Sequence, residues 1–136
     1  MLLMKLKSEE KFAFLALAYH IAYIDGEFDK EEKDIIEEYC AEMGIDNIEY
    51  DIDNFNLEDV LKEIKTLKSQ KIVLLELMIL IHSDDKFHRF EHKVIENIAN
   101  FYNISEHQLN LFSQWGKMSS AIYSQGKLFL EDDKKD

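Results

Sequence analysis

The chain reads as an all-α domain, a compact bundle of about seven helices built from two helical hairpin units related by a pseudo-twofold axis. Three observations carry that expectation. The 136 residues contain no proline, so no residue forces a break in a helix. The four glycines, Gly26, Gly44, Gly116 and Gly126, fall where apolar periodic stretches end or change phase. A shift of 59 residues lays IDGEFDKEEKDIIEEYCAEMGI over SDDKFHRFEHKVIENIANFYNI.

Taken in order, Ser8 is placed to cap a first helix over residues 8–24. Phe12, Leu15, Ala16, Ala18, Tyr19, Ala22 and Tyr23 leave that helix little polar face, which predicts a central position, with His20 buried and hydrogen-bonded inside it. Asp29 and Glu32 have capping-box spacing for a second helix, which carries Ile35, Ile36, Tyr39, Cys40 and Met43 on one face and stops at Gly44. Residues 45–56 are rich in Asn and Asp and read as a loop. Asn56 then caps a short helix to about residue 67, and Ser69 precedes KIVLLELMILI. That run is apolar enough for a buried strand, but its length and its leucine, methionine and glutamate content predict a second central helix. Residues 89–102 place Val94, Ile95, Ile98, Ala99 and Tyr102 on one side of an amphipathic helix that Asn103 terminates. Ser105 and Gln108 form a further capping box for a helix reaching Trp115, and a last amphipathic helix uses Met118, Ile122 and Tyr123. Residues 1–130 form a single domain, and the charged residues 131–136 read as a disordered tail.

With 46% hydrophobic and 32% charged residues the composition is that of a globular protein, and a chain of this length buries roughly two thirds of its unfolded surface. Twenty-eight acidic side chains against 16 basic ones give a formal charge of -12, which repels nucleic acid and anionic lipid and favours cations or a basic protein partner. The lone Cys40 follows Ile36 and precedes Met43 at helical spacing, so it belongs to the core and forms no intramolecular disulfide. Residues 1–7 show no cleavage-site pattern, and the longest uncharged stretch, residues 12–24, is too short to span a bilayer. The expectation is a cytoplasmic protein without membrane insertion. Its oligomeric state is not legible.

The repeat aligns Asp25 with Asp84, Phe28 with Phe87, Glu32 with Glu91, Ile36 with Ile95, Glu37 with Glu96 and Ile45 with Ile104. Amphipathic phase alone generates the apolar matches, but it does not place an Asp, a Phe and a Glu at equal spacing in the same turn. Each unit is therefore a buried helix, an acidic turn with a Phe anchor turned toward the core, and an amphipathic helix. IDGEFDKEE followed by that helix resembles the signature of the tellurite-resistance TerB family: a small residue, Asp-Gly, an apolar position and a downstream Glu. It also looks like the amino-terminal domain of DjlA-type J-domain co-chaperones. The resemblance covers about residues 10–115. Ile24 stands where the family commonly has a small residue, and in the second copy Ser83, Asp84 and Asp85 put an Asp where the Gly is expected. The resemblance implies an acidic metal-binding surface and a role in a stress response.

Read from the residues themselves, Asp25 and Asp84 sit at predicted helix C-termini, where the backbone dipole already concentrates negative charge and a cation relieves it. Glu32 and Glu91 follow seven residues later. Where the two turns meet, Asp25, Glu32, Asp84 and Glu91 offer four hard oxygen donors suited to calcium, magnesium or manganese, with Asp29, Asp85 and His88 as secondary candidates. The competing role is local: Glu32 completes the Asp29 capping box, and Glu91 has the same spacing from His88. An EF-hand is excluded, because its first ligand positions fall on Ile21 and Tyr23 in one copy and on Leu80 and His82 in the other. His88 and His92 have the i, i+4 spacing that admits zinc or nickel, but HRFEH lacks the HEXXH order. No phosphate loop, nucleophile elbow or Cys-His framework appears, so the chain reads as a binding module and not as an enzyme. The leading expectation is a TerB-like module that holds a cation in its paired acidic turns and relays this to a protein partner. The alternative is a metal-free acidic adaptor that docks a basic partner, and a metal-dependent hydrolase using the histidine-rich turn ranks below both.

Overall fold

Side-chain caps and left-handed residues set most of the helix boundaries. The computed structural model describes residues 1–24, 26, 28–83 and 88–131. Among the described residues there are no strands: a 3-10 turn, Leu3–Lys5, is followed by α1 (Ser8–Tyr23), α2 (Lys30–Met43), α3 (Leu57–Leu61), α4 (Leu67–Ile81), α5 (Arg89–Phe101) and α6 (Glu106–Glu131). Six α-helices are thus described where about seven were expected.

The difference lies in α6, which runs unbroken through Gly116. Sequence punctuation suggested a stop there, but the glycine serves packing instead. A Cβ at this position would lie 2.8 Å from the carbonyl carbon of Met78 and 3.0 Å from its oxygen, inside ordinary contact distance. Its absence lets α6 lie directly on the backbone of α4, and this is the most extensive helix pair in the molecule.

The starts of α1 and α4 also differ from the expected ones. Lys7 precedes α1 and its N–H donates to Glu10 Oε1 at 2.9 Å, so Ser8 is the first helical residue and not the cap. Thr66 caps α4 by accepting from Ser69 N–H at 3.1 Å, so the helix starts at Leu67, and α3 ends at Leu61, short of the expected residue 67. The other caps stand as expected. Asn56 accepts from Asp59 N–H at 3.1 Å, and Ser105 Oγ from Gln108 N–H at 3.1 Å. Gly44 ends α2 at φ 67° and Asn103 follows α5 at φ 58°, both left-handed.

Helices α1 and α4 are central, as their all-round apolar character requires. Phe14, Leu15, Leu17 and Ile21 of α1 are fully buried, as are Leu74 and Leu77 of α4. Ile36 of α2 and Ile95 of α5 seal this core from the flanks, and Cys40 is buried with them. Two long-range bonds tie the layers: Tyr39 Oη donates to Glu76 O at 2.8 Å, and Tyr102 Oη donates to Leu61 O at 2.7 Å. Helices α1 and α4 begin 59 residues apart, and so do α2 and α5. Glu131 closes α6, in place of the start of a disordered tail, and residues 132–136 lie outside the described residues.

Candidate functional site

The first acidic turn joins α1 to α2. Gly26 takes φ 83°, the left-handed conformation that an Asp-Gly turn needs, and its N–H donates to Tyr23 O at 3.0 Å. Asp29 Oδ1 accepts from Glu32 N–H at 2.9 Å and Glu32 Oε1 accepts from Asp29 N–H at 3.5 Å, which completes the predicted capping box. Glu32 is nonetheless only 3% exposed, an uncommon state for a carboxylate in the first turn of a helix. Phe28 is half-buried against the core rather than inside it, and stacks on Tyr23 with ring centroids 4.5 Å apart. Tyr19, Tyr50 and Phe55 extend this aromatic cluster. His20 lies within it, its Nδ1 3.1 Å from Tyr50 Oη and its ring stacked on Phe55. Burial holds the His20 pKa below the usual histidine range.

The second acidic turn joins α4 to α5. Glu91 occupies the first turn of α5 and is 1% exposed, so the two repeat-equivalent glutamates are both buried. His88 immediately precedes α5 and is half-buried. His82 points to α6, with Nε2 3.0 Å from Ser113 Oγ, and its ring meets that of His92 edge-on at 6.2 Å. Burial lowers the His92 pKa, with Glu96 opposing and His88 adding to that effect. The remaining candidates, Asp25, Asp84 and Asp85, lie outside the described residues, as does Phe87. Among the described residues no group of three or more His, Cys, Asp or Glu side chains is arranged to hold a metal ion. Glu32 and Glu91 supply the hard oxygen chemistry that calcium, magnesium or manganese prefers, so the donor type fits a divalent cation, and the further donors would have to come from the two turns.

A groove of about 670 Å³ was not legible in the sequence. It opens between α2 and the C-terminal half of α6, with Glu76 and Ile79 of α4 in its lining. Glu76 is 0% exposed, and its Oε1 accepts from the Met1 ammonium at 3.2 Å and from Leu2 N–H at 3.1 Å. The same ammonium lies 2.6 Å from Glu42 Oε1. Burial pushes the Glu76 pKa up, against the opposing pull of Leu2 N–H and the ammonium. Its signal in the sequence was a lone acid inside KIVLLELMILI, which reads as a helix marker until the packing is known. Glu31, in the first turn of α2, and Ser83, just before the second acidic turn, both line this groove.

Fold and site together define an acidic module, helical throughout its described residues, with buried carboxylates in the first turns of α2 and α5. The family model described as tellurite resistance protein TerB matches residues 2–54, from the 3-10 turn through α2 into the following loop. Over those residues the chain is TerB-like. No curated protein and no solved structure matches it. No described helix is long and apolar enough to cross a membrane.

Proposed function

We propose that the chain is a duplicated TerB-like binding module of the cytoplasm, which holds a divalent cation between its two acidic turns and relays the bound state to a protein partner in a stress response. The observation that carries this reading is the burial of Glu32 and Glu91, at 3% and 1% exposure, each in the first turn of the helix that follows an acidic turn. Two buried carboxylates at positions 59 residues apart offer the hard oxygen donors that calcium, magnesium and manganese take. The pseudo-twofold arrangement has its own support. Ser69 Oγ donates to Glu10 Oε1 at 3.0 Å, and these positions are themselves 59 residues apart, the kind of contact made where a local twofold axis passes between two repeats. Glu31 and Ser83 lining one groove supports turns that approach each other across its end.

In this reading Asp25, Glu32, Asp84 and Glu91 are the ligands, and Asp29, Asp85 and His88 assist. The cation offsets the negative ends of α1 and α4 and stiffens both turns, which changes the surface offered to a partner. Zinc and nickel fit less well, because the ring of His82 is engaged with α6 and the main donors are carboxylates. Thermal melts with calcium, magnesium and manganese test the reading. An ion at about 100 times its Kd adds about 2.7 kcal/mol, a rise of several degrees in Tm. Asp25→Asn with Asp84→Asn abolishes that rise if the reading holds; no rise with any ion, or one that survives the double substitution, removes it.

A further inference from the structure

Helix α2 leans on α1 and the 3-10 turn while α6 lies on α4, and the groove is the space left between them. A salt bridge spans its walls, from Lys127 Nζ to Glu38 Oε1 at 3.1 Å. The Glu38 carboxylate also acts on Tyr123, whose pKa it and burial push up to about 12. Among the described residues Lys127 is the one basic side chain in a lining that includes Glu31, Asp34, Glu38, Glu42, Glu76 and Glu131. Beneath that acidic rim the surface is apolar, with Ile35 and Ile79 at the edge of burial and Leu128 exposed.

Glu76 distinguishes this groove from an ordinary acidic surface. The side chain is 1% exposed, and while Oε1 is occupied, Oε2 is buried with no hydrogen-bond partner among the described residues. A carboxylate oxygen in that state carries an unrecovered desolvation cost, and a strong cationic donor is the group that recovers it. The Met1 ammonium already lies against the other oxygen, so the surroundings accept a nitrogen cation.

We propose that this groove docks an amphipathic helix of a protein partner, seating its apolar face on Ile35, Ile79 and Leu128 and directing one lysine ammonium at Glu76. An apolar floor under a rim of carboxylates is complementary to a helix with leucine on one face and lysine on its flanks. Such a helix lies along α2 and α6 as a third packed helix, and it competes with Lys127 for Glu38 as it enters. The proposal rests on the groove and does not depend on a cation in the turns.

The probe is a fluorescently labelled Leu/Lys amphipathic helical peptide, titrated with the full chain in EDTA and followed by anisotropy. EDTA keeps the test independent of the turns, so neither proposal's failure implies the other's. Saturable binding is expected, weakened about tenfold or more by Glu76→Gln, because a charge-assisted bond is lost. Ser124→Trp fills the groove from an exposed position and abolishes binding without touching the core. Glu58→Gln, on the exposed face of α3, removes the same charge elsewhere and leaves the affinity unchanged. Amide resonances of α2 and of the C-terminal half of α6 move on binding. Equal weakening by Glu76→Gln and Glu58→Gln would reduce the interaction to bulk charge and overturn the proposal. Undiminished binding to the Ser124→Trp variant would overturn it as well.

Discussion

Replacing Gly116 by alanine tests the contact on which the groove depends. The added Cβ would meet Met78 at 2.8 Å from its carbonyl carbon and 3.0 Å from its oxygen. Backbone cannot swing aside as a side-chain end does, so α6 must back away from α4 by several tenths of an ångström. Overpacking of this kind costs about 1–3 kcal/mol. Alanine is also the better helix former by about 1 kcal/mol, which partly conceals the strain. Gly126 supplies the correction, because it lies in the same helix and a Cβ there meets nothing within 4 Å. Gly126→Ala records the helix gain alone, and the difference between the two variants isolates the strain. Differential scanning calorimetry should therefore separate their Tm values by roughly 4–12 °C, with Gly116→Ala the lower. Equal Tm values, or a more stable Gly116→Ala, would refute the close approach of α6 to α4 and with it the geometry of the groove.

Asp29→Ala removes the cap of α2 and lowers the urea-unfolding free energy by about 1 kcal/mol, and it reduces any cation-induced rise in Tm without abolishing it. A loss well under about 0.5 kcal/mol would mean that Asp29 Oδ1 does not hold the Glu32 N–H in solution. The histidines give a pH prediction. Burial lowers the pKa of both His20 and His92, so below the ordinary value near 6.5 the unfolded chain binds more protons than the folded one. Their contribution is present above that pH and is lost as the pH falls through the depressed values. Glu76, with a raised pKa, works in the opposite direction, so the comparison is with a His20→Gln, His92→Gln variant. Between about pH 7 and about pH 5 the wild type should lose more urea resistance than this variant. Parallel losses would contradict the assigned burial.

Much of the fold was legible because the signals were local. The Asp29 and Glu32 box, the Asn56 and Ser105 caps, and Gly44 and Asn103 act within a few residues of themselves, and each has the predicted role. The central placement of α1 and α4 followed from the lack of a polar face. Gly116 was misread for the converse reason: a glycine that ends a helix and one that admits a neighbouring backbone look identical until Met78 is placed beside it. The Thr66 cap went unread, because a capping Thr looks like any other until the Ser69 N–H is placed beside it. The burial of Glu32 and Glu91 was not legible, because the capping spacing from Asp29 and from His88 already accounted for a glutamate at each position. Glu76 was visible as a lone acid in an apolar run, whereas its meaning depends on Met1, α2 and α6 meeting around it.

Paramagnetic broadening by manganese tests the central claim of one cation shared by two turns most directly. Trace Mn²⁺ is titrated into isotope-labelled protein and amide intensities are followed. A single site between the turns extinguishes the resonances of Gly26 and Glu32 together with those of Ser83 and Glu91, at the same metal concentration and reversibly with excess Mg²⁺. Broadening confined to one turn, or spread evenly over the acidic surface, would contradict the shared site and leave a metal-free adaptor.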